Sequence, residues 1–295
     1  MKLLAHVAFF DAGDQAAAAA AAKAKKSVGP SKSKTSSVWR MFTFNAVAAL
    51  LAEMEVKYTM FDRIDAVIDV NSQNAFQGQL QAWTPPGSSE APRRVFVQVA
   101  VHHNLSHPFR TTWAHRNHVA ANIENYEWFL YTEADVFVPA TAMRAQVEIA
   151  LPLYRRNRKL LGFTRMVNNT AGKLFFSDIR QPVARSTIFK SSGLGTFGVP
   201  DNSYAAAWAY PRLIMREFVV SKDWLPHLRG TQGMRERAGN GWKFGGIVVR
   251  LDDLAALRIF HVGKSGVFYA PHRGFNTLPA DNLHPAGSKV AATRA

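Results

Sequence analysis

The chain has 295 residues, 47% of them hydrophobic and 19% charged, enough to bury one large core or two small ones. Thirty-six lysines and arginines against 21 acids give a formal charge of +15, a field that favours anionic partners: nucleotides, nucleic acid, acidic lipids or acidic glycans. No cysteine occurs, which excludes disulfides, thiolate metal sites and cysteine nucleophiles, and no apolar run approaches the roughly 20 residues that cross a bilayer.

The first predicted element is a β-strand over Lys2–Phe10, stopped by Asp11. A signal peptide is the alternative there, but His6 interrupts the apolar run. Residues 15–37 form a low-complexity insertion: seven alanines (Ala16 to Ala22), then a Lys/Ser/Gly/Pro stretch with five lysines and no acid. From Val38, the residues Trp39, Phe42, Phe44, Val47, Leu50, Leu51 and Met54 recur at helical spacing and predict a buried amphipathic helix. Ile64–Val70 reads as a short strand, Gly78–Arg93 as a loop marked by Pro85-Pro86-Gly87, and Arg94–Val101 as a β-branched strand. A helix over about Thr111–Ile123 precedes a strand at Glu127–Thr132. Pro139 opens a further helix, where its missing N–H costs nothing, and that helix ends near Asn157. Leu160–Arg165 and Lys173–Phe176 are later strands; beyond them the pattern is irregular and rich in Gly, Trp and Tyr. Alternating strands and helices argue α/β, and no internal repeat is present.

The stretch that carries chemistry is Tyr131-Thr132-Glu133-Ala134-Asp135, where an apolar strand delivers two carboxylates to its carboxyl end. Carboxylates two apart at a strand end can address one hard cation, and the carboxyl ends of strands are where open α/β sheets bind ligands. The alternative is a solvated strand-to-helix turn in which Asp135 caps the helix. Further on, Asp201-Asn202-Ser203-Tyr204 and Trp208-Ala209-Tyr210 combine amides with aromatic faces, a composition suited to a sugar's hydroxyl edges and C–H faces; the alternative is that the rings cover the sheet.

Together with His107–Arg116 and the helix that follows, the Glu133-Ala134-Asp135 motif resembles that of GT-A-fold glycosyltransferases, in which a strand-end D-x-D or E-D-D motif holds the divalent ion of a nucleotide-sugar. Ala134 stands where many relatives carry an acid. The resemblance implies a single GT-A-like α/β domain over residues 1–276, a mixed sheet flanked by helices, with 277–295 a flexible tail. It implies Mn²⁺ or Mg²⁺ held by Glu133, Asp135 and His261, with Arg116 and Lys264 near the diphosphate. Asp11 and Asp69, which close the first two strands, fall where this fold contacts base and ribose; Asn202, Tyr204 and Trp208 fall on the sugar side. An inverting transferase also needs a base for the acceptor hydroxyl. Glu236, between two arginines, ranks first, Asp223 second, with Glu217 the remaining candidate.

The function expected is therefore transfer of a sugar from a UDP- or GDP-linked donor to a glycan, glycoconjugate or other hydroxyl acceptor. The alternatives are a non-catalytic nucleotide- or glycan-binding protein of the same fold, and a basic nucleic-acid-binding protein driven by net charge. A soluble chain is expected, cytoplasmic or Golgi-associated, with peripheral membrane contact through the lysine-rich insertion as a further option. Gly193–Gly198 matches G-x-G-x-x-G, but Pro200, Asp201 and Asn202 follow at once, so no helix N-terminus is expected to receive a pyrophosphate. His102, His103, His107, His115 and His118 suggest zinc by composition; only His115 and His118 share a helical face, so ordinary buried or surface histidines are expected.

Overall fold

The computed structural model describes residues 1–9, 34–71, 75–85, 92–103, 105, 110–168, 174–177, 179, 181–225 and 246–262. A five-stranded sheet organises the first two-thirds of the chain, in the order β3-β2-β1-β4-β11. Its strands are β1 (Lys2–Phe9), β2 (Arg63–Val70), β3 (Val95–Val101), β4 (Trp128–Glu133) and β11 (Ala207–Pro211). The first four run parallel and β11 is antiparallel to β4. The chain is thus a mixed α/β protein with its sheet flanked by helices.

β1 is central and buried on both faces, which is why its sequence is a near-continuous apolar run, broken by His6, instead of alternating. Leu3, Ala5, Val7 and Phe9 point into one core cluster with Val47, Leu50, Leu51 and Met54 of helix α1 (Lys34–Lys57). Leu4 and Ala8 point the other way, towards Trp113 and Val119 of helix α3 (Thr111–Ala121) and Met215 and Phe218 of helix α5 (Arg212–Val219). The expected helix from Val38 to Met54 is present and longer, so the first four residues of α1 take the end of the expected 15–37 insertion. The expected loop at Gly78–Arg93 begins instead within a helix, α2 (Ala75–Gln81), whose Leu80 is buried against the core.

Helix α4 (Ala140–Asn157) starts directly after Pro139, which lies at its N-cap with extended backbone and no side-chain cap. The open Ala140 amide donates instead to Glu53 of α1 at 3.0 Å, a cap supplied from a distant part of the chain. Nearby, the buried Tyr58 hydroxyl donates to the Val138 carbonyl at 2.8 Å, and burial raises its pKa well above that of a free phenol.

Two further four-stranded sheets are present among the described residues. One has the order β6-β12-β10-β9, from β6 (Leu160–Leu161), β9 (Phe189–Ser191), β10 (Gly195–Gly198) and β12 (Ile247–Arg250). The other has the order β5-β13-β7-β8, from β5 (Val136–Phe137), β7 (Thr164–Asn168), β8 (Leu174–Phe176) and β13 (Arg258–His261). The strand expected at Leu160–Arg165 is therefore divided between two sheets. Gly162 sits at the division with β12 pressed against it: a Cβ there would meet Ile247 Cγ2 at 2.5 Å. The G-x-G-x-x-G stretch folds as the β9–β10 hairpin and not as a helix start, with Gly193 and Gly195 at φ of 70° and 120°.

Candidate functional site

β4 ends at Glu133, and the turn Ala134–Asp135 is pinned on two sides. The Glu133 amide donates to the Ala206 carbonyl and the Ala134 amide to the Ala8 carbonyl, both at 3.0 Å. β13 then lies antiparallel to β5 with His261 opposite Val136, and the Val262 amide donates to the Asp135 carbonyl at 2.8 Å. This register sets the His261 ring against the Asp135 side chain, Nε2 to Oδ2 at 3.2 Å. His261 is 8% exposed and Asp135 20%, so the pair is shielded but reachable.

Glu133 has a different partner. Its buried carboxylate accepts the Tyr204 hydroxyl at 3.0 Å. Tyr204 is held in turn by Asn202, whose side-chain oxygen accepts the Tyr204 amide at 3.1 Å, and by the Arg165 guanidinium 4.8 Å over its ring. Arg165, Asn202, Tyr204, Phe163, Pro200 and Ile247 line a shallow recess with room for about one water molecule.

The Asp135–His261 spacing fits a divalent ion. Two ligands about 2.1 Å from an octahedral centre stand about 3.0 Å apart, and a carboxylate with a neutral imidazole is a donor set that Mn²⁺ accepts. Among the described residues no three His, Asp or Glu side chains converge as a metal-binding group. The arrangement thus brings together two of the three expected ligands, Asp135 and His261, and leaves Glu133 on Tyr204.

Other expected site residues have different surroundings. Arg116 does not face Glu133: it is 4% exposed, boxed by Trp113, Trp224 and Phe218 with its guanidinium carbon 4.4, 4.5 and 4.9 Å from their rings. Its Nη1 donates to the Asp223 and Trp224 carbonyls at 3.1 and 3.0 Å, and burial lowers its pKa to about 9. Asp223 therefore contacts α3 through its backbone and is not in the lining of the Tyr204 recess. Trp208 is no sugar platform. It is 4% exposed on β11, stacked between Tyr131 and Tyr210 at 5.7 and 5.1 Å, because β11 is a strand of the main sheet and not a loop. Glu217 is taken by Arg158 and the Tyr154 hydroxyl, both at 2.7 Å. Asp11, Glu236 and Lys264 lie outside the described residues.

Asp69 lies near the carboxyl end of β2, 2% exposed, with both oxygens engaged: Oδ2 by His6 Nδ1 at 2.7 Å and Oδ1 by His102 Nε2 at 2.8 Å. Burial would raise its pKa, but the two imidazoles outweigh burial and hold it at about 2. His6 Nε2 faces His118 Nδ1 at 3.0 Å, and the fully buried His115 lies beside them. Three of the histidines in the expected cluster thus join an Asp69-centred network that the sequence reading missed, because its other two members, His6 and Asp69, are polar residues inside largely apolar strands far apart in the chain. That break in the strand pattern was the available signal. Arg165 was missed for the same reason, as one cation inside Thr164-Arg165-Met166-Val167.

No family profile matches the chain, and no curated protein matches it. Among solved structures it is similar to TarS of S. aureus at 9% identity and a TM-score of 0.38, covering 84% of this chain and 58% of that one. It is also similar to a GalNAc-T7 solved with UDP, GalNAc and Mn²⁺, at 10% identity and a TM-score of 0.43, covering 88% of this chain and 43% of that one. A third is a UTP-bound UGPase from Acinetobacter baumannii, at 11% identity and a TM-score of 0.40, with 91% and 90% covered. The chain spans about half the length of the first and fewer than half of the residues of the second of these. None of these likenesses bears on activity.

Proposed function

We propose that the chain is a metal-assisted glycosyltransferase of GT-A-like architecture, moving a sugar from a UDP- or GDP-linked donor to a hydroxyl acceptor on a glycan or glycoconjugate. The observation that carries this reading is the Asp135–His261 pair, 3.2 Å apart at the carboxyl end of β4. The strand order β3-β2-β1-β4 with an antiparallel β11 supports it. Asp135 and His261 would hold Mn²⁺ or Mg²⁺, with Glu133 as the remaining acid of the motif. The ion, when bound, supplies positive charge that neutralises a leaving diphosphate. Tyr204 orients Glu133, and with Asn202 lines a shallow recess whose polar groups would meet a single sugar hydroxyl at its mouth. Of the two acids expected at the nucleoside end, Asp69 is closed off by His6 and His102, which leaves Asp11 for that role, and Lys264 follows His261 closely enough in sequence to meet phosphate. Glu236 would take the acceptor hydroxyl's proton in an inverting reaction.

A panel of nucleotide-sugars incubated with the protein and Mn²⁺ tests the reading. At least one donor should be turned over, and Asp135→Ala should reduce that turnover by at least about 100-fold and weaken UDP or GDP binding. Full activity of Asp135→Ala in excess EDTA would refute the metal role. One observation favours a second reading: Glu133 is engaged by Tyr204 and does not join Asp135 and His261. A nucleotide- or glycan-binding protein without transfer would bind UDP with Mn²⁺ in the same assay and release no sugar from any donor.

A further inference from the structure

Away from that pair, four polar side chains, on three elements and the turn after β3, are strung across the sheet face that α3 covers. His102, following β3, reaches Asp69 on β2; Asp69 reaches His6 on β1; and His6 faces His118 on α3. The links measure 2.8, 2.7 and 3.0 Å. His115, one turn before His118, is fully buried with its ring centroid 5.8 Å from that of His6.

Proton counting constrains the last link. Asp69 accepts on both oxygens, so His6 must donate from Nδ1 and has only Nε2 left to face His118. With His6 neutral, Nε2 accepts and His118 Nδ1–H donates. With His6 charged, Nε2–H donates and His118 must present a bare Nδ1. If both rings are charged, both facing nitrogens carry hydrogen, and a 3.0 Å contact becomes donor against donor.

Among the described residues no free carboxylate absorbs that second charge. The Asp69 carboxylate is already shared between His6 and His102. Asp65 on β2 attracts His118 but is occupied by Arg63 and the Tyr126 hydroxyl. Arg116, also on α3, repels a proton on His115. Tyr131 of β4 packs on His115, while Tyr210 of β11 and Asp223 beyond α5 act on Arg116.

We infer that the His6–His118 contact is an acid-opened latch, fastening α3 to the central sheet while at most one of the two rings is protonated and releasing the helix once both are. This inference does not depend on sugar transfer. Burial and then the His6 charge push His118 below the ordinary histidine range, and burial with Arg116 pushes His115 well below it, so release falls on the acid side of pH 6.5. Release uncovers the inner face of α3, Trp113 and His115, and the sheet residues Leu4, Tyr131 and Trp208 beneath it.

Hydrogen exchange of the protein, corrected for intrinsic rates, reads the latch directly. Between about pH 7.5 and about pH 5, protection of the α3 amides should fall by roughly tenfold or more while β1 and β2 keep theirs. His118→Gln, whose amide can pair with His6 in either protonation state, should move that loss about one pH unit lower. His103→Gln, at the exposed neighbour of His102, should leave it unchanged. The latch is refuted if α3 keeps pace with β1 throughout, or if His118→Gln opens at the wild-type pH. Should that variant fail to fold, ¹⁵N-histidine titration of the wild type decides: a coupled, two-step titration of His6 and His118, its second step coincident with the loss of α3 protection, supports the latch, and two independent one-step titrations overturn it.

Discussion

His115 shows how a single ring can set an acid limit on stability. It is fully buried among Tyr131, Trp208 and Trp224, and burial first, then the charges of Arg116 and His6, hold its pKa well below 6.5. The unfolded chain therefore takes up this proton first, so the ring's contribution is complete above about pH 6.5 and is lost as the pH falls. Asp69 has the same sign at lower pH: held at about 2 against an ordinary 3.8, it stabilises fully above 3.8 and loses that contribution towards 2. Urea unfolding at a series of pH values should show stability declining below pH 6.5 with a slope of up to about 1.4 kcal/mol per pH unit from His115 alone. His115→Phe should remove that part of the slope; an unchanged slope would mean the ring is not buried neutral. Arg116 is a contrasting case at the same scale. Its charge is accommodated by three aromatic faces and two carbonyls, and no carboxylate among the described residues forms an ion pair with it.

The elements around the recess are held by close approaches that short local patterns do not announce. In the β9–β10 hairpin, Gly195 has a φ of 120°, and a Cβ there would meet the Asp252 carboxylate at 2.6 Å. That carboxylate accepts the Thr196 amide at 3.1 Å and pairs with Arg250 at 2.9 Å, tying β10 to the end of β12. Gly195→Ala should therefore cost about 1–3 kcal/mol in urea unfolding, through backbone strain and displacement of Asp252. A change below about 0.5 kcal/mol would show that the hairpin adapts without cost. The same dependence on distant partners appears where Glu53 caps α4 and where Glu55 accepts the Arg94 and Val95 amides at the start of β3. Each carboxylate on α1 satisfies a backbone donor of another element, so α1 aligns both β3 and the helix that follows the Glu133–Asp135 turn.

Over the whole molecule, the +15 charge is a statement about partners and not about fold. Deleting 15–33, which removes four lysines and stops short of α1, should bring elution from heparin to lower salt and reduce the salt slope of polyanion binding by up to about four. Donor turnover should be unaffected; unchanged elution would show that this segment contributes nothing to the field that partners meet. Among the described residues no helix is long and apolar enough to cross a membrane.

The strands β1 to β4, α1, α3 and α4 were legible from apolar periodicity, because that pattern records which face of each element is buried. The Glu133-Ala134-Asp135 motif was legible too, as acids placed where an apolar strand stops. Residue type alone, however, could not say which partner each side chain would meet. Asp135 meets His261 126 positions away, Glu133 meets Tyr204 at 71, and His6 meets Asp69 and His118 at 63 and 112. Those pairings depend on register: β13 had to align on β5, and β11 had to join the main sheet and carry Trp208 into the core. Local pattern determined where the chain could be buried; strand registers, set by packing across the whole molecule, decided which buried polar groups face one another.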